Sequence, residues 1–333
     1  MYRKILLASS VAIVLFSGCS SKQYYEPEQT HNTSSSSMND NIIHYSRDGA
    51  TLASGAILTN NQRVNLKLEK GFYFINSSKN AAITADAHGK VNIVNEKGTV
   101  ATATFPKAVV SATLIGKYLV YVLQNNTFGV YNFETKALEY NGKAQKAFAI
   151  DTRIANPLKV DKLVIIPTLD GKLTILDLTT FKISKEMYVS TETSLNNIIF
   201  LERLNNTLIA ATPNKVLSIN NKGKKELNTA ISEVIIQDKE LFVFAKDGRI
   251  LKLDESLTID SEKKFKFAHF SLSTVYKDKV YALDKQGFLI VSNKSFSKHK
   301  VYDVSAVESY AFVSEGKLYY DRKIVELSTL NYE

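Results

Sequence analysis

The sequence has no tryptophan and a single cysteine, Cys19. One thiol cannot close an internal disulfide, so the fold stands on its core alone. Its longest apolar stretch, Ile5 to Phe16, is broken by Ser9 and Ser10. That is too short for a bilayer-spanning helix, which needs about 20 apolar residues. Helical periodicity is almost absent. There is no Gly-x-Ser-x-Gly nucleophile elbow and no glycine loop built to cradle phosphate. The five histidines, at 31, 44, 88, 269 and 299, are scattered without ligand spacing, which argues against a metal site. Asp170, Asp177, Asp247 and Asp254 lie near expected turns, but lack the dense alternation of a calcium loop. Turn-forming or strand-ending aspartate is the better reading.

The first nineteen residues are informative. Arg3 and Lys4 form a short positive segment ahead of the apolar stretch, and Ser17-Gly18 place small residues directly before Cys19. This is the layout of a secretory signal. The run Leu15-Phe16-Ser17-Gly18-Cys19 resembles the bacterial lipobox, with Phe16 where leucine is usual. The resemblance implies cleavage after residue 18 and lipidation of Cys19, which leaves no cysteine free as a nucleophile. Each buried acyl CH₂ adds about 0.8 kcal/mol of membrane affinity, and two or three chains anchor firmly. Ser20, rather than aspartate, after the cysteine resembles the outer-membrane class, with the folded part on the periplasmic side.

Residues 20–40 are polar, with Ser34 to Ser37 in a row. They read as a flexible tether whose typical reach is about 25 Å. The expected organisation is therefore a signal peptide at 1–18, a lipidated tether at 19–41 and one domain at 42–333. Loss of Arg3 and Lys4 leaves 40 basic against 33 acidic residues. Export argues against a nucleic-acid partner. The clusters at 222–225, 263–266 and 294–300 are dispersed, as expected of loop tips and edge strands, where lysine discourages edge-to-edge pairing.

Beyond the tether the chain repeats. An apolar strand, a tight polar turn and a second strand recur, as in Lys162-Leu-Val-Ile-Ile-Pro-Thr-Leu-Asp170-Gly171-Lys-Leu-Thr-Ile-Leu-Asp177. The second turn position falls at 49, 89, 126, 171, 214, 248, 287 and 322, with a mean step of 39 residues. Glycine at five of these supplies the positive φ of a two-residue hairpin, and Asn126 and Asn214 are the next-best residues for it. Further strand-like runs lie between the hairpins, among them Val100 to Phe105 and Val109 to Ile115. Four strands in about 40 residues is one β-propeller blade. The expected fold is an all-β propeller of four-stranded blades. Six complete sets run from Gly71 to Tyr302, and Ser305 to Leu327 forms a seventh without its outer strand. Arg63 to Leu68 is expected to supply that strand, giving seven blades. Eight result if the hairpin at Asp48-Gly49 counts as a blade of its own.

The run Val280-Tyr-Ala-Leu-Asp-Lys-Gln-Gly287 resembles the repeats of the pyrroloquinoline-quinone-type propellers. That family's enzymes dock their blades with tryptophan, and its alcohol dehydrogenases carry an adjacent cysteine pair. This chain has neither, so the resemblance implies no cofactor and points to the non-enzymatic branch. Lipobox, tether and cofactor-free repeats together resemble the BamB family, the propeller lipoproteins of the outer-membrane β-barrel assembly machinery. The resemblance implies a scaffold with envelope-protein partners and no catalytic residues. A ligand-binding or adhesive surface propeller is the alternative, and a propeller hydrolase or lyase a weaker one.

Overall fold

The computed structural model describes residues 23–60, 63–78 and 81–333. Cys19 and the leader lie outside them. Eight sheets follow one another along the chain. The first strands of several adjacent sheets pack together, as at Val109–Ile115 on Tyr73–Ser78 and Ile231–Gln237 on Phe270–Tyr276, while fourth strands such as Lys182–Tyr188 and Gly223–Asn228 face solvent. This is an eight-bladed β-propeller. Blade 1 spans residues 42–67, blade 2 73–104, blade 3 109–143, blade 4 158–188, blade 5 200–228, blade 6 231–264, blade 7 270–303 and blade 8 311–326.

The second strands, such as Tyr118–Leu123, are buried on both faces, because every blade is sandwiched between two others. Continuous apolar runs therefore mark the middle of a blade. Polar residues gather on outer strands such as Lys182–Tyr188, almost wholly exposed. The core is divided into clusters lying between blades. One joins Phe244, Phe265, Val280 and Ile290 of blades 6 and 7, and another joins Tyr281, Leu289, Leu318 and Val325 of blades 7 and 8.

Of the two expected counts eight holds, because the hairpin around Asp48-Gly49 belongs to a blade of its own. Arg63–Lys67 does not complete the last blade. It is the outer strand of blade 1, paired with Ala56–Thr59. Blade 8 is closed instead by Ser36–Ser37, antiparallel to Lys323–Glu326, with Ser36 opposite Ile324. N-terminal sequence still closes the ring, but from another segment. The expected turn at Asp48-Gly49 is also displaced. This pair lies between the first and second strands of blade 1, and the turn between its second and third strands is at Ser54-Gly55. Gly55 has φ +87°, as the hairpin requires, whereas Gly49 is a buried strand residue without positive φ. Its missing Cβ makes room for the Phe74 ring, which would lie 2.4 Å from it. The other seven turn positions lie between second and third strands. Asn126 adopts positive φ there, but Asn214 does not.

A bulge near the start of the first strand recurs in blades 1, 2, 3, 6 and 7, at Ile42/His44, Phe74/Asn76, Val109/Ser111, Ile231/Glu233 and Phe270/Leu272. Sharing this device marks blade 1 as a true member of the ring.

The described part of the expected tether lies on the ring rather than free. Tyr25 is buried between blades 6 and 7, edge-on to Phe265 and Phe288 with centroids 6.2 and 6.0 Å away. His31–Asn32 then adds a fifth, parallel strand to blade 7. Composition missed this because backbone pairing asks little of side chains.

A bridged central channel and its charged mouth

Blade 1 is short. Its first strand has four residues, against seven in blades 3, 6 and 7. Its first turn, residues 46–48, reaches into the central channel. Ser46 N–H donates to the Gly49 carbonyl at 2.7 Å and closes the turn. Arg47 then spans the ring. Its guanidinium donates to the carbonyls of Ile199 and Val234, each at 3.0 Å, and to Glu233 Oε1 at 3.1 Å. It also lies 4.5 Å from the centroid of the Phe200 ring. Blades 1 and 5 are opposite each other in an eightfold ring, so one side chain ties the two halves together. A planar guanidinium with five donors suits this better than lysine.

The neighbouring residues cross as well. Asp48 Oδ2 accepts from Asn156 Nδ2 at 2.6 Å, and Asn156 Oδ1 accepts from the Ala112 N–H of blade 3 at 3.1 Å. Tyr45 Oη and Thr152 Oγ1 are 3.1 Å apart.

A second arginine braces the channel from the connection between blades 3 and 4. Arg153 holds Asp151 through Nε at 2.8 Å and Nη2 at 2.6 Å, and donates to the Ile231 and Ser232 carbonyls of blade 6. Asn197 accepts from Asp151 N–H at 2.7 Å and donates to the Arg153 carbonyl at 2.8 Å. Burial pushes the Asp151 carboxyl up, but the hydrogen bond and charge of Arg153 outweigh it, leaving Asp151 below its usual range. Glu202 is different. Burial raises its carboxyl, Arg47 opposes this, and Asp48 and Glu233 add to it.

Around these bridges lies a cavity of about 1010 Å³, lined chiefly by blades 5 to 8. A smaller one of about 320 Å³ lies beside blades 1 to 3, with His44 stacked on Tyr73 at 4.6 Å. Lys246, His269 and Lys285 line the larger cavity. They sit in turns and connections that propeller topology places on one face, so they mark one mouth of the channel.

The residues weighed in the sequence are dispersed. His31 pairs on blade 7, His88 is in a turn, and His299 lies against Phe265 at 5.2 Å. Among the described residues, no group of three or more His, Cys, Asp or Glu could hold a metal ion. The four aspartates shape backbone: Asp177 accepts from the Thr179 and Thr180 N–H groups, Asp254 from those of Ser256 and Thr258, Asp170 from Gln145 and Asp247 from Arg249. Arg47 and Arg153 were not anticipated. The available signal was rarity, because the chain has only seven arginines among its 42 basic residues.

No protein-family model matches the chain. Among solved structures it is similar to BamB from Moraxella catarrhalis, with a TM-score of 0.64 at 14% identity, covering 89% of this chain and 98% of that one. The chain shares the β-propeller fold of that protein. The C-terminal WD40 domain of Sif2 is also similar, with a TM-score of 0.64 at 11% identity and 89% of this chain covered. Likeness at this level is of fold, and it does not single out the quinone-type branch. In sequence, the chain is similar to the plasminogen-binding protein PgbB from two strains of Helicobacter pylori. Both are 25% identical, over 377 and 379 residues; each match covers 97% of this chain, and 70% or 69% of the relative.

Proposed function

We propose that this chain is a lipid-anchored β-propeller of the bacterial outer membrane that binds other proteins and catalyses no reaction. The observation that carries the reading is the extent of the sequence likeness: relatives named for binding plasminogen align with 97% of the chain, hence with the whole ring. Arginine bridges that tie blades together favour a rigid platform. Such a platform loses little conformational entropy on binding. Anchoring rests on the lipobox ending at Cys19 and on Ser20 after it.

On this reading the partner is a large protein of the plasminogen kind, met outside the cell, which requires display on the outer surface. The test is binding of purified plasminogen to the mature chain, together with protease accessibility of the protein on intact cells. Saturable binding and surface cleavage are expected. A chain that binds no plasminogen and is cleaved only after the outer membrane is breached would sink this assignment.

The likeness to BamB over nearly its full length favours a second reading, a periplasm-facing scaffold for outer-membrane protein assembly. Co-purification of a β-barrel assembly component from mild detergent, above a control lipoprotein, would decide for it.

A further inference from the structure

Two connections on the mouth face are longer than the rest. Residues 144–157 link blades 3 and 4, and residues 189–199 link blades 4 and 5, while blades 5 and 6 are joined by only Thr229 and Ala230. The two long loops hold each other: Leu195 N–H donates to the Ala149 carbonyl at 3.1 Å, and Asn197 grips Asp151 and Arg153. Ala147 and Ile150 pack against the core between blades 3 and 4. Between them Phe148 stands 85% exposed, the most exposed large apolar side chain among the described residues. An aromatic ring on a braced loop is the kind of residue that anchors protein interfaces. By contrast, Val100, Leu138, Ile183 and Ile259 are exposed singly on outer strands, which is ordinary for a protein surface.

This face carries exposed lysines. Lys246, His269 and Lys285 are exposed at the mouth, and Lys146 Nζ lies 5.6 Å from the Phe148 ring centroid. Three carboxylates beside them are engaged, Asp247 by Arg249 at 2.8 Å. Asp151 is held by Arg153, and Asp284 is buried, accepting from the His269 and Gln286 N–H groups at 2.7 and 2.8 Å.

We propose that this face is the docking surface, and that it takes a protein segment whose acidic side chains meet Lys246 and Lys285 while Phe148 enters an adjoining apolar pocket of the partner. The inference rests on the protein-binding reading above and names its surface.

The experiment uses the full mature chain in mild detergent with plasminogen as probe. Phe148→Ala and the double variant Lys246→Glu, Lys285→Glu each weaken binding tenfold or more, and Val100→Ala, on the rim of blade 2, leaves it unchanged. Wild-type affinity in both face variants overturns the proposal. A second arm separates this failure from failure of the plasminogen assignment. Benzoylphenylalanine at position 148 or 100 is photo-crosslinked in living cells, and the adducts are identified by mass spectrometry. An adduct with a different protein from 148 but not from 100 supports the face whatever plasminogen does. Adducts from 100 alone, adducts from neither position, or a dimer of this chain through 148 overturn it.

Discussion

Arg47 and Glu233 belong to blades 1 and 6, yet their side chains meet at 3.1 Å inside the central channel. Both are largely shielded, with side chains 13% and 25% exposed. Removing one partner strands the other and frees two backbone carbonyls. Arg47→Ala is therefore expected to cost about 2–4 kcal/mol, read as a lower denaturation midpoint in urea. A double variant, Arg47→Met with Glu233→Leu, should lose less than the sum of the two single variants. Strict additivity would show that the pair does not couple the blades.

Tyr25 tests whether the N-terminal segment is part of the ring. Its truncation to alanine empties a site between Phe265 and Phe288, at an expected cost of about 3–4 kcal/mol. Limited proteolysis should then cut within residues 23–38 at rates unlike those of wild type. Unchanged melting and cleavage would mean that the segment adds nothing.

Burial holds the Tyr25 and Tyr121 hydroxyls protonated, raising both from 10.0 to about 12, with Asp284 and Glu28 adding to the effect at Tyr25. A pKa raised on folding contributes stability that is complete below pH 10 and lost as pH rises through 12. Absorbance at 295 nm should show these phenols titrating after the exposed ones, with loss of fold in that window. Early titration of Tyr25→Phe and wild type alike would contradict its burial.

Asp151 works at the other end of the scale. Its depressed carboxyl contributes stability that is present above 3.8 and lost as pH falls through the lower, folded value. In Asp151→Asn, the melting temperature should be lower at pH 7 and converge with wild type in strong acid. Parallel curves would count against the Arg153 pairing as the cause.

Gly49 and Gly71 separate space from backbone freedom. A methyl at Gly49 meets the Phe74 ring at 2.4 Å and the Leu58 carbonyl oxygen at 2.7 Å, so Gly49→Ala should cost about 2–3 kcal/mol through overpacking. Gly71 has φ +87° and nothing within 4 Å, so Gly71→Ala should cost only about 1 kcal/mol. Equal losses in denaturant titrations would refute the distinction.

The propeller was legible because each blade writes the same local message. Gly89, Gly171, Gly248 and Gly287 sit where hairpins need positive φ, and apolar runs flank them. Asp48-Gly49 signalled the eighth blade, although there glycine serves the packing of Phe74 and the hairpin turn is at Ser54-Gly55. The closing strand, Ser36–Ser37, carries no apolar pattern, so only its backbone hydrogen bonds reveal it.

Strand length, turn chemistry and the four-strand rhythm are local properties, and the order of residues alone determined them. Blade number, the strand that closes the ring and the reach of Arg47 to blades 5 and 6 depend on residues as far apart in the chain as Ser36 and Ile324. Those were decided only when the ring closed, because a hydrogen bond across a channel leaves no periodic trace in the chain.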